Sequence, residues 1–203
     1  MTLDKSSELI LDDNLINIRE EFKKQIQNTI LCSEPFYKVE FLNKLINSVE
    51  DIVIVVDLDL LLTGYVNSGI IEKKDNITIL NPNEGDLKRE ISEIVAKISL
   101  KKSLVIIDSL NGFYNVLNDK YDSAKFINSC IMLLASIAKK TGSTVIVTST
   151  ARRKDGDTWV TTPGGKKFVG TKESGFFLLN KIEDKLLITS IDEKNRILKK
   201  YQI

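Results

Sequence analysis

The chain has 203 residues, of which 42% are hydrophobic and 28% charged, a composition typical of a folded globular protein. Its 29 basic and 28 acidic residues nearly cancel, so overall charge indicates no class of partner, although residues 151–203 contain 12 basic and 7 acidic residues. The sequence has no histidine and only two cysteines, which excludes histidine-based acid–base chemistry and argues against a zinc site.

This length suits one domain with a large core, and we expect residues 1–203 to form it. Residues 1–28 are a lead-in whose polar start, MTLDKSSELILDD, does not resemble a signal peptide. No apolar run reaches the roughly 18 residues that a membrane span needs. We therefore expect a cytoplasmic protein in which Cys32 and Cys130 are buried, reduced thiols.

Strand-like and helix-like segments alternate from the end of the lead-in to Thr150. The strands are apolar on both faces, as buried parallel strands are, and the helices have one apolar face. This order predicts an α/β fold with a mainly parallel sheet covered by helices on both faces. The strand candidates are NTILCS, DIVIVVDLDLLL, the end of GIIEKKDNITIL, SLVIIDSL and STVIVTST; the helix candidates are YKVEFLNKLINSV, NEGDLKREISEIVAKISL and SAKFINSCIMLLASIAKKTG.

The pattern changes after Thr150. Residues 151–167 are polar and basic, with Asp-Gly and Gly-Gly pairs, and predict a loop or a hairpin. Residues 168–203 then alternate apolar and polar side chains in short runs, which predicts two or three antiparallel strands at one edge of the sheet.

Polar side chains follow the predicted parallel strands, whose carboxyl ends form the usual ligand-binding edge of such sheets. Asp57 and Asp59 follow one strand, and Asp108 follows another. Two interpretations are open. The carboxylates could hold a magnesium ion, or Asp57 and Asp108 could cap the turns that follow them.

Several of these segments resemble the RecA superfamily. KKSLVIIDSLNGF resembles its Walker B strand, which ends in Asp108, and Asp59 lies where that family has an acidic catalytic residue. The C-terminal segment resembles the terminal meander of archaeal RadA proteins and KaiC-like ATPases. The resemblance covers residues 30–203 and implies a RecA-like doubly wound fold that ends in a β-meander.

The phosphate loop of that family, G-x-x-x-x-G-K-[ST], is degenerate here. Alignment on Lys38 puts Cys32 and Tyr37 at the two glycines and Val39 at the hydroxyl residue that would ligate magnesium, while Glu34 adds negative charge. Tyr37 would need a backbone conformation that costs about 1–3 kcal/mol. These departures predict that ATP and magnesium are not bound productively.

Lys38 is therefore expected to be an ordinary surface lysine in the first turn of a helix. Together with Asp59 and Asp108, it would be a vestige of an ATPase site, without a catalytic role. An alternative stays open, in which these three residues serve an ATPase with an altered phosphate loop.

Residues 151–167, the basic segment, correspond in the RecA superfamily to a loop that lines the DNA channel. Cations that reach phosphates, beside a ring that stacks on bases, suit single-stranded nucleic acid. Trp159 has a second interpretation, as a cross-strand partner in a hairpin whose turn is Asp155-Gly156. The candidate nucleic-acid-binding residues are Arg152, Arg153, Lys154, Trp159, Lys166 and Lys167.

The resemblance implies a non-catalytic protein of RadA-paralogue type. It would bind single-stranded or double-stranded DNA, a RadA-type recombinase or another RecA-fold subunit, and modulate homologous recombination or DNA repair. It could form homo-oligomers. A further alternative is a structural subunit of a RecA-fold hetero-oligomer.

Overall fold

The computed structural model describes residues 6–118, 122–154, 158–161, 173–192 and 194–203, and for residues 6–14, 153–154 and 158–161 it describes the backbone alone. These ranges form six helices and nine strands. No helix among them is both long and apolar enough to cross a membrane.

Helices and strands alternate from β1 to β5, as the sequence predicts, and the elements described after β5 are all strands. The helices are α1 (Ser6–Lys23), α2 (Pro35–Asn47), α3 (Leu61–Asn67), α4 (Glu84–Leu100), α5 (Leu110–Val116) and α6 (Ser123–Thr141). The strands are β1 (Gln27–Cys32), β2 (Ile52–Asp57), β3 (Ile77–Leu80), β4 (Ser103–Asp108), β5 (Thr144–Lys154), β6 (Thr158–Thr161), β7 (Ser174–Ile182), β8 (Lys185–Ile191) and β9 (Ile197–Gln202).

One sheet organises the molecule, with strand order β3-β2-β4-β5-β1-β7-β8-β9 and with β6 paired to β5. The pairs from β3 to β7 in this order are parallel. The pairs β7–β8 and β8–β9 are antiparallel. The predicted α/β fold, with a mainly parallel sheet and a C-terminal antiparallel series, is confirmed.

Helices cover both faces of the sheet, so two apolar cores form. Alternate residues of a strand point to opposite faces, and Val53 and Val55 accordingly pack with α1, α2 and α3. Ile54 and Val56 pack with α4, α5 and α6 on the other face. This double burial explains why β2 and β4 are continuous runs of Val, Ile and Leu.

The C-terminal strands extend the sheet beyond β1. β7 lies parallel to β1, and β8 and β9 then continue the sheet to its edge. In β9, the Lys199 ammonium and the Tyr201 hydroxyl both donate to Oε2 of Glu21, each at 3.1 Å, which attaches the edge strand to α1. The predicted C-terminal strands therefore form, and the first of them is also a parallel neighbour of β1.

Three helices were not predicted. Most of the lead-in forms α1, because Leu15, Ile18 and Phe22 follow helical spacing and are buried against the sheet. The segment DIVIVVDLDLLL is a strand only as far as Asp57, and its last leucines begin α3.

Helix α5, the third of these helices, follows Asp108. It begins at a serine cap, since the Ser109 hydroxyl accepts a hydrogen bond from the Gly112 amide at 3.1 Å. Phe113 and Tyr114 of this helix are buried in the core.

Candidate functional site

The carboxyl ends of the central strands bring most of the predicted site residues to one edge of the sheet. Asp57 at the end of β2 is in register with Asp108 at the end of β4. Cys32 at the end of β1 is in register with Thr150 of β5. Helix α2 starts from the same edge, because it follows β1.

Lys38 is buried at this edge, with 3% of its surface exposed, so the expectation of a surface lysine was wrong. Its ammonium nitrogen lies 2.6 Å from Oδ1 of Asp108 and 2.7 Å from Oδ2 of Asp59. The physical reason is helical spacing. Lys38 shares a face with Leu42 and Leu45, and this face packs against the sheet.

Residues 32–38 form no phosphate cradle. β1 ends at Cys32 and α2 begins at Pro35, so the connection consists of Ser33 and Glu34 alone. Tyr37 is an ordinary helical residue, and the strained conformation considered for it does not occur. Pro35 suits the first helical position, where no amide hydrogen is needed.

Asp108 is the centre of the site and is fully buried. Its Oδ1 accepts hydrogen bonds from Lys38 and from the Thr148 hydroxyl of β5. Its main-chain oxygen accepts from the amides of Leu58 and Asp59, at 2.6 and 3.2 Å, and so holds the turn after β2 against β4. Asp108 thus joins three strand ends and does not cap the following turn.

The charges at this site are unequal, because one ammonium contacts two carboxylates. Burial alone would lower the pKa of Lys38, but the Asp108 and Asp59 carboxylates outweigh it and raise that pKa above its usual value. Burial raises the pKa of the Asp108 carboxyl, and the nearby Lys38 ammonium opposes this rise. The ammonium is therefore the more firmly held charge of the pair.

Asp57 binds the main chain of the turn that follows β2, as expected if it caps that turn. Its Oδ2 accepts from the Thr63 amide in the first turn of α3 at 2.7 Å. Its main-chain oxygen accepts from the Asn81 side chain at 3.0 Å. Its Oδ1, like Oδ2 of Asp108, is buried without a hydrogen-bond partner among the described residues.

Asn111 and Gly112, at the start of α5, also shape the site. A Cβ atom on Gly112 would lie 2.6 Å from Oδ1 of Asp59 and 2.7 Å from Cβ of Leu58, so only glycine allows this turn to approach α5. Oδ1 of Asn111 accepts from the Thr150 amide at 2.9 Å and from the Ser149 hydroxyl at 3.2 Å. Together they fix α5 between β2 and β5.

The basic segment begins as a hairpin that leaves the same edge. Residues 144–150 of β5 pair within the parallel sheet, and residues 151–154 continue past it and pair with β6. Four residues extend the strand by about 13 Å. Ala151 is buried at the base, and Arg152 beside it is exposed.

The structure describes the predicted nucleic-acid-binding residues only in part. Arg153 is in register with Trp159, so Trp159 is a cross-strand position of the hairpin, but Lys154 pairs with Thr158 and three residues separate the paired strands where the predicted Asp155-Gly156 turn has two. The side chains of Arg153, Lys154 and Trp159 lie outside what is described, as do Lys166, Lys167 and the turn residues Asp155 and Gly156.

No group of three or more His, Cys, Asp or Glu side chains in the described ranges is arranged to hold a metal ion. The Lys38 ammonium lies between the Asp59 and Asp108 carboxylates, where a cation would otherwise neutralise them. Magnesium–ATP does not fit these residues, since the turn before α2 offers no cradle and Val39 offers no hydroxyl.

No protein-family model matches the chain, and no curated protein matches it. Membership of the RecA superfamily therefore stays a prediction.

Replacing Lys38 with methionine tests the ion pairs. At pH 8 the free energy of unfolding should fall by about 3–5 kcal/mol, because Asp108 is left buried without its counter-ion. At pH 5 the loss should be smaller. Burial raises the pKa of the Asp108 carboxyl, so in the folded variant this carboxyl takes up a proton as the pH falls through that pKa. The neutral carboxyl needs no counter-ion, and part of the lost stability of the variant returns. Urea denaturation of both proteins at pH 5 and pH 8 measures these free energies of unfolding.

The matched control is Lys44→Met in the last turn of the same helix, where the lysine is only partly buried. It should cost less than about 1 kcal/mol. An equal loss at pH 5 and pH 8 for Lys38→Met, or no loss, would show that the ammonium does not neutralise Asp108.

Gly112→Ala tests the close approach of α5 to the turn after β2. The added methyl group would displace Asp59 and Leu58, and we expect a loss of about 1–3 kcal/mol. Gly64→Ala in α3 is the control, because an added Cβ atom there would have no neighbour within 4 Å. That change should be neutral or stabilise by up to about 1 kcal/mol. Similar effects of the two substitutions would contradict the steric argument.

Proposed function

We propose that the chain is a non-catalytic RecA-like protein of RadA-paralogue type, which binds DNA and modulates homologous recombination or DNA repair. The observation that carries this proposal is the hairpin formed by β5 and β6. It continues a central strand past the carboxyl edge of the sheet and brings Arg152 into solvent there.

The hairpin offers cations on a rigid base. Ala151 at its start packs with Leu31, Leu178 and Ile191, so the extension is anchored in a small apolar cluster. Arg152, Arg153 and Lys154 are the next three residues of β5 after Ala151. On an extended strand, positions 152 and 154 share one face and position 153 the other, so cations can meet phosphates on either face of the hairpin. Trp159, in register with Arg153, can supply a stacking ring.

The site at the base of α2 supports the non-catalytic part of the proposal. Lys38 is the cation of the degenerate phosphate loop, and it is held by Asp108 and Asp59. To reach a phosphate it would have to leave two carboxylates, one of them fully buried. The two-residue connection before α2 forms no phosphate-binding loop that would offset that cost.

Exposed apolar side chains beside the site favour a protein partner as well. Phe36 lies two residues before Lys38 and is 65% exposed, and Leu60 directly follows Asp59 and is 58% exposed. In the RecA family this edge lies near a subunit interface. We therefore include a recombinase or another RecA-fold subunit among the partners, and a second copy of this chain is the simplest case to test.

One observation favours the alternative of an ATPase with an altered phosphate loop. Lys38, Asp59 and Asp108, which are distant in sequence, meet within hydrogen-bond distance at the ligand-binding edge of the sheet. We prefer the non-catalytic function, because the same contacts keep the ammonium away from any ligand.

Arg152→Ala combined with Arg153→Ala tests the DNA surface. At low salt, the affinity for a fluorescently labelled single-stranded oligonucleotide should fall about 5- to 10-fold, since two cations are removed. The slope of log affinity against log salt should become shallower by about 1.4, because each phosphate contact on a single strand contributes about 0.7. Fluorescence anisotropy at several salt concentrations gives both values.

Lys139→Ala combined with Lys140→Ala is the control. It removes the same charge from the exposed end of α6, at the opposite edge of the sheet. Affinity should change less than about twofold. If both double variants weaken binding equally, the interaction reflects general charge and not the hairpin, and an unchanged affinity of the arginine variant would exclude the hairpin as the DNA surface.

Phe36→Ser combined with Leu60→Ser tests the partner surface. Any concentration-dependent self-association seen by light scattering should weaken at least about tenfold, because both apolar side chains would leave the interface. Leu100→Ser, at a 90% exposed position at the end of α4, is the control and should leave association unchanged. Association that is insensitive to the double variant would place the interface elsewhere.

A further inference from the structure

Strand β9 is the last strand of the sheet, and its outer edge is open. β8 pairs with it on one side, and no described strand pairs with it on the other. Ile203 and Leu186 exchange both of their main-chain hydrogen bonds, at 2.9 and 3.0 Å. Such pairs alternate along an antiparallel ladder, so Lys200 and Gln202 direct their main-chain amides and carbonyls away from β8.

The open edge of β9 is exposed to solvent. Both Lys200 and Gln202 are exposed, and within the described ranges their outward main-chain groups make no main-chain hydrogen bond. Ile197 and Leu198, at the start of the strand, are 58% and 61% exposed. Such an edge is a template for a further strand, because its free amides and carbonyls can continue the ladder. Its side chains then decide which strand is accepted.

The side chains along β9 carry surplus positive charge. Oε2 of Glu21 accepts hydrogen bonds from the ammonium groups of Lys24 and Lys199, at 2.9 and 3.1 Å, so two cations share one carboxylate. Lys200 is a third cation, which is exposed and forms no ion pair with the residues that the structure describes. The acidic residues 183–184 lie in the turn between β7 and β8, which limits the positive stretch to the middle of β9.

These lysines select against a second copy of the chain. The alternation of inward and outward residues requires that a two-fold antiparallel pairing of most of β9 with itself be centred on Lys199 or Lys200. Either register sets a lysine directly opposite the same lysine of the other copy, and like charges at such positions destabilise the pair. Lysine on an edge strand prevents self-association in this way. A strand with carboxylates at these positions would instead be attracted.

We propose that β9 binds an extended acidic segment of a partner protein, which adds a strand to the sheet. The segment continues the antiparallel series, and its main chain exchanges hydrogen bonds with Lys200 and Gln202. Two successive carboxylates meet Lys200 and Lys199, one on each face of the sheet. The residues after them are apolar and pack on Leu198 and Ile197. Because β1, β7 and β8 separate β9 from β5, this interaction does not depend on the proposed DNA binding.

The test is a ¹H–¹⁵N NMR titration of the full chain with the blocked peptide acetyl-TVEEVI-amide. We expect saturable shifts at the amides of residues 197–203. Solvent exchange of the Lys200 and Gln202 amides should slow at least about threefold at saturation, because each gains a hydrogen bond. The Tyr201 amide, which already faces β8, should change less. Acetyl-TVKKVI-amide should bind at least about tenfold more weakly, because its lysines would meet lysines.

A single-stranded oligothymidylate separates strand addition from general anion binding. It carries negative charge but has no peptide main chain, so it should not slow the exchange of the Lys200 and Gln202 amides. Equal slowing by the oligothymidylate and the acidic peptide would show that the lysines attract any polyanion, and would overturn the proposal.

Two variants separate the charge of this edge from its main chain. Lys200→Glu should lower the affinity for acetyl-TVEEVI-amide about 5- to 10-fold. Gln202→Pro removes an outward amide without changing charge, as edge strands tolerate, and should lower it about 3- to 10-fold. Lys97→Glu, an equal charge change on α4, is the control and should change affinity less than about twofold.

The spectrum of each variant reports whether it is folded, and the comparison of the two peptides on the unaltered chain does not depend on any variant. Absence of saturable shifts with the acidic peptide, equal binding of the acidic and basic peptides, or unchanged affinity in both β9 variants would overturn the proposal.

Discussion

The ion pairs between Lys38 and the two aspartates, Asp59 and Asp108, determine how the carboxyl edge of the sheet is built. A buried ammonium requires carboxylate partners, and the three groups come from α2, the turn after β2 and the end of β4. Asp108 also bonds to Thr148 of β5 and to the main chain of Leu58. One small polar cluster therefore fixes the relative positions of three strand ends and one helix, inside a sheet otherwise held by apolar packing.

The same cluster sets what this edge can do. In a nucleotide-binding site of the expected family, lysine and aspartate act on a ligand between them, whereas here they act on each other. The short connection of Ser33 and Glu34 leaves no free loop of amides, and Val39 gives no hydroxyl. Lys38, Asp59 and Asp108 therefore form a structural cluster, and the interactions proposed at this edge depend on other surface features, the hairpin after Thr150 and the exposed side chains of Phe36 and Leu60.

Sequence reasoning succeeded where the signal was local. The buried strands were evident because Val, Ile and Leu occupy both faces, and the C-terminal strands because apolar and polar residues alternate. Lys38 was misjudged because its partners are distant in sequence, although its spacing from Leu42 and Leu45 already placed it on the apolar face of α2. Helix α5 was missed because Asn111 and Gly112 are typical of loops, while Gly112 is needed for contact with Asp59.

The most direct measurement is an NMR spectrum of the lysine ammonium groups in ¹⁵N-labelled protein. A buried ammonium bonded to two carboxylates exchanges its protons slowly, so Lys38 should give a resolved signal that is absent in Lys38→Met and that persists above pH 7. Addition of magnesium–ATP should leave that signal unchanged. Absence of a protected signal, or a saturable shift of it on addition of magnesium–ATP, would contradict the claim that Asp108 and Asp59 hold this lysine away from phosphate.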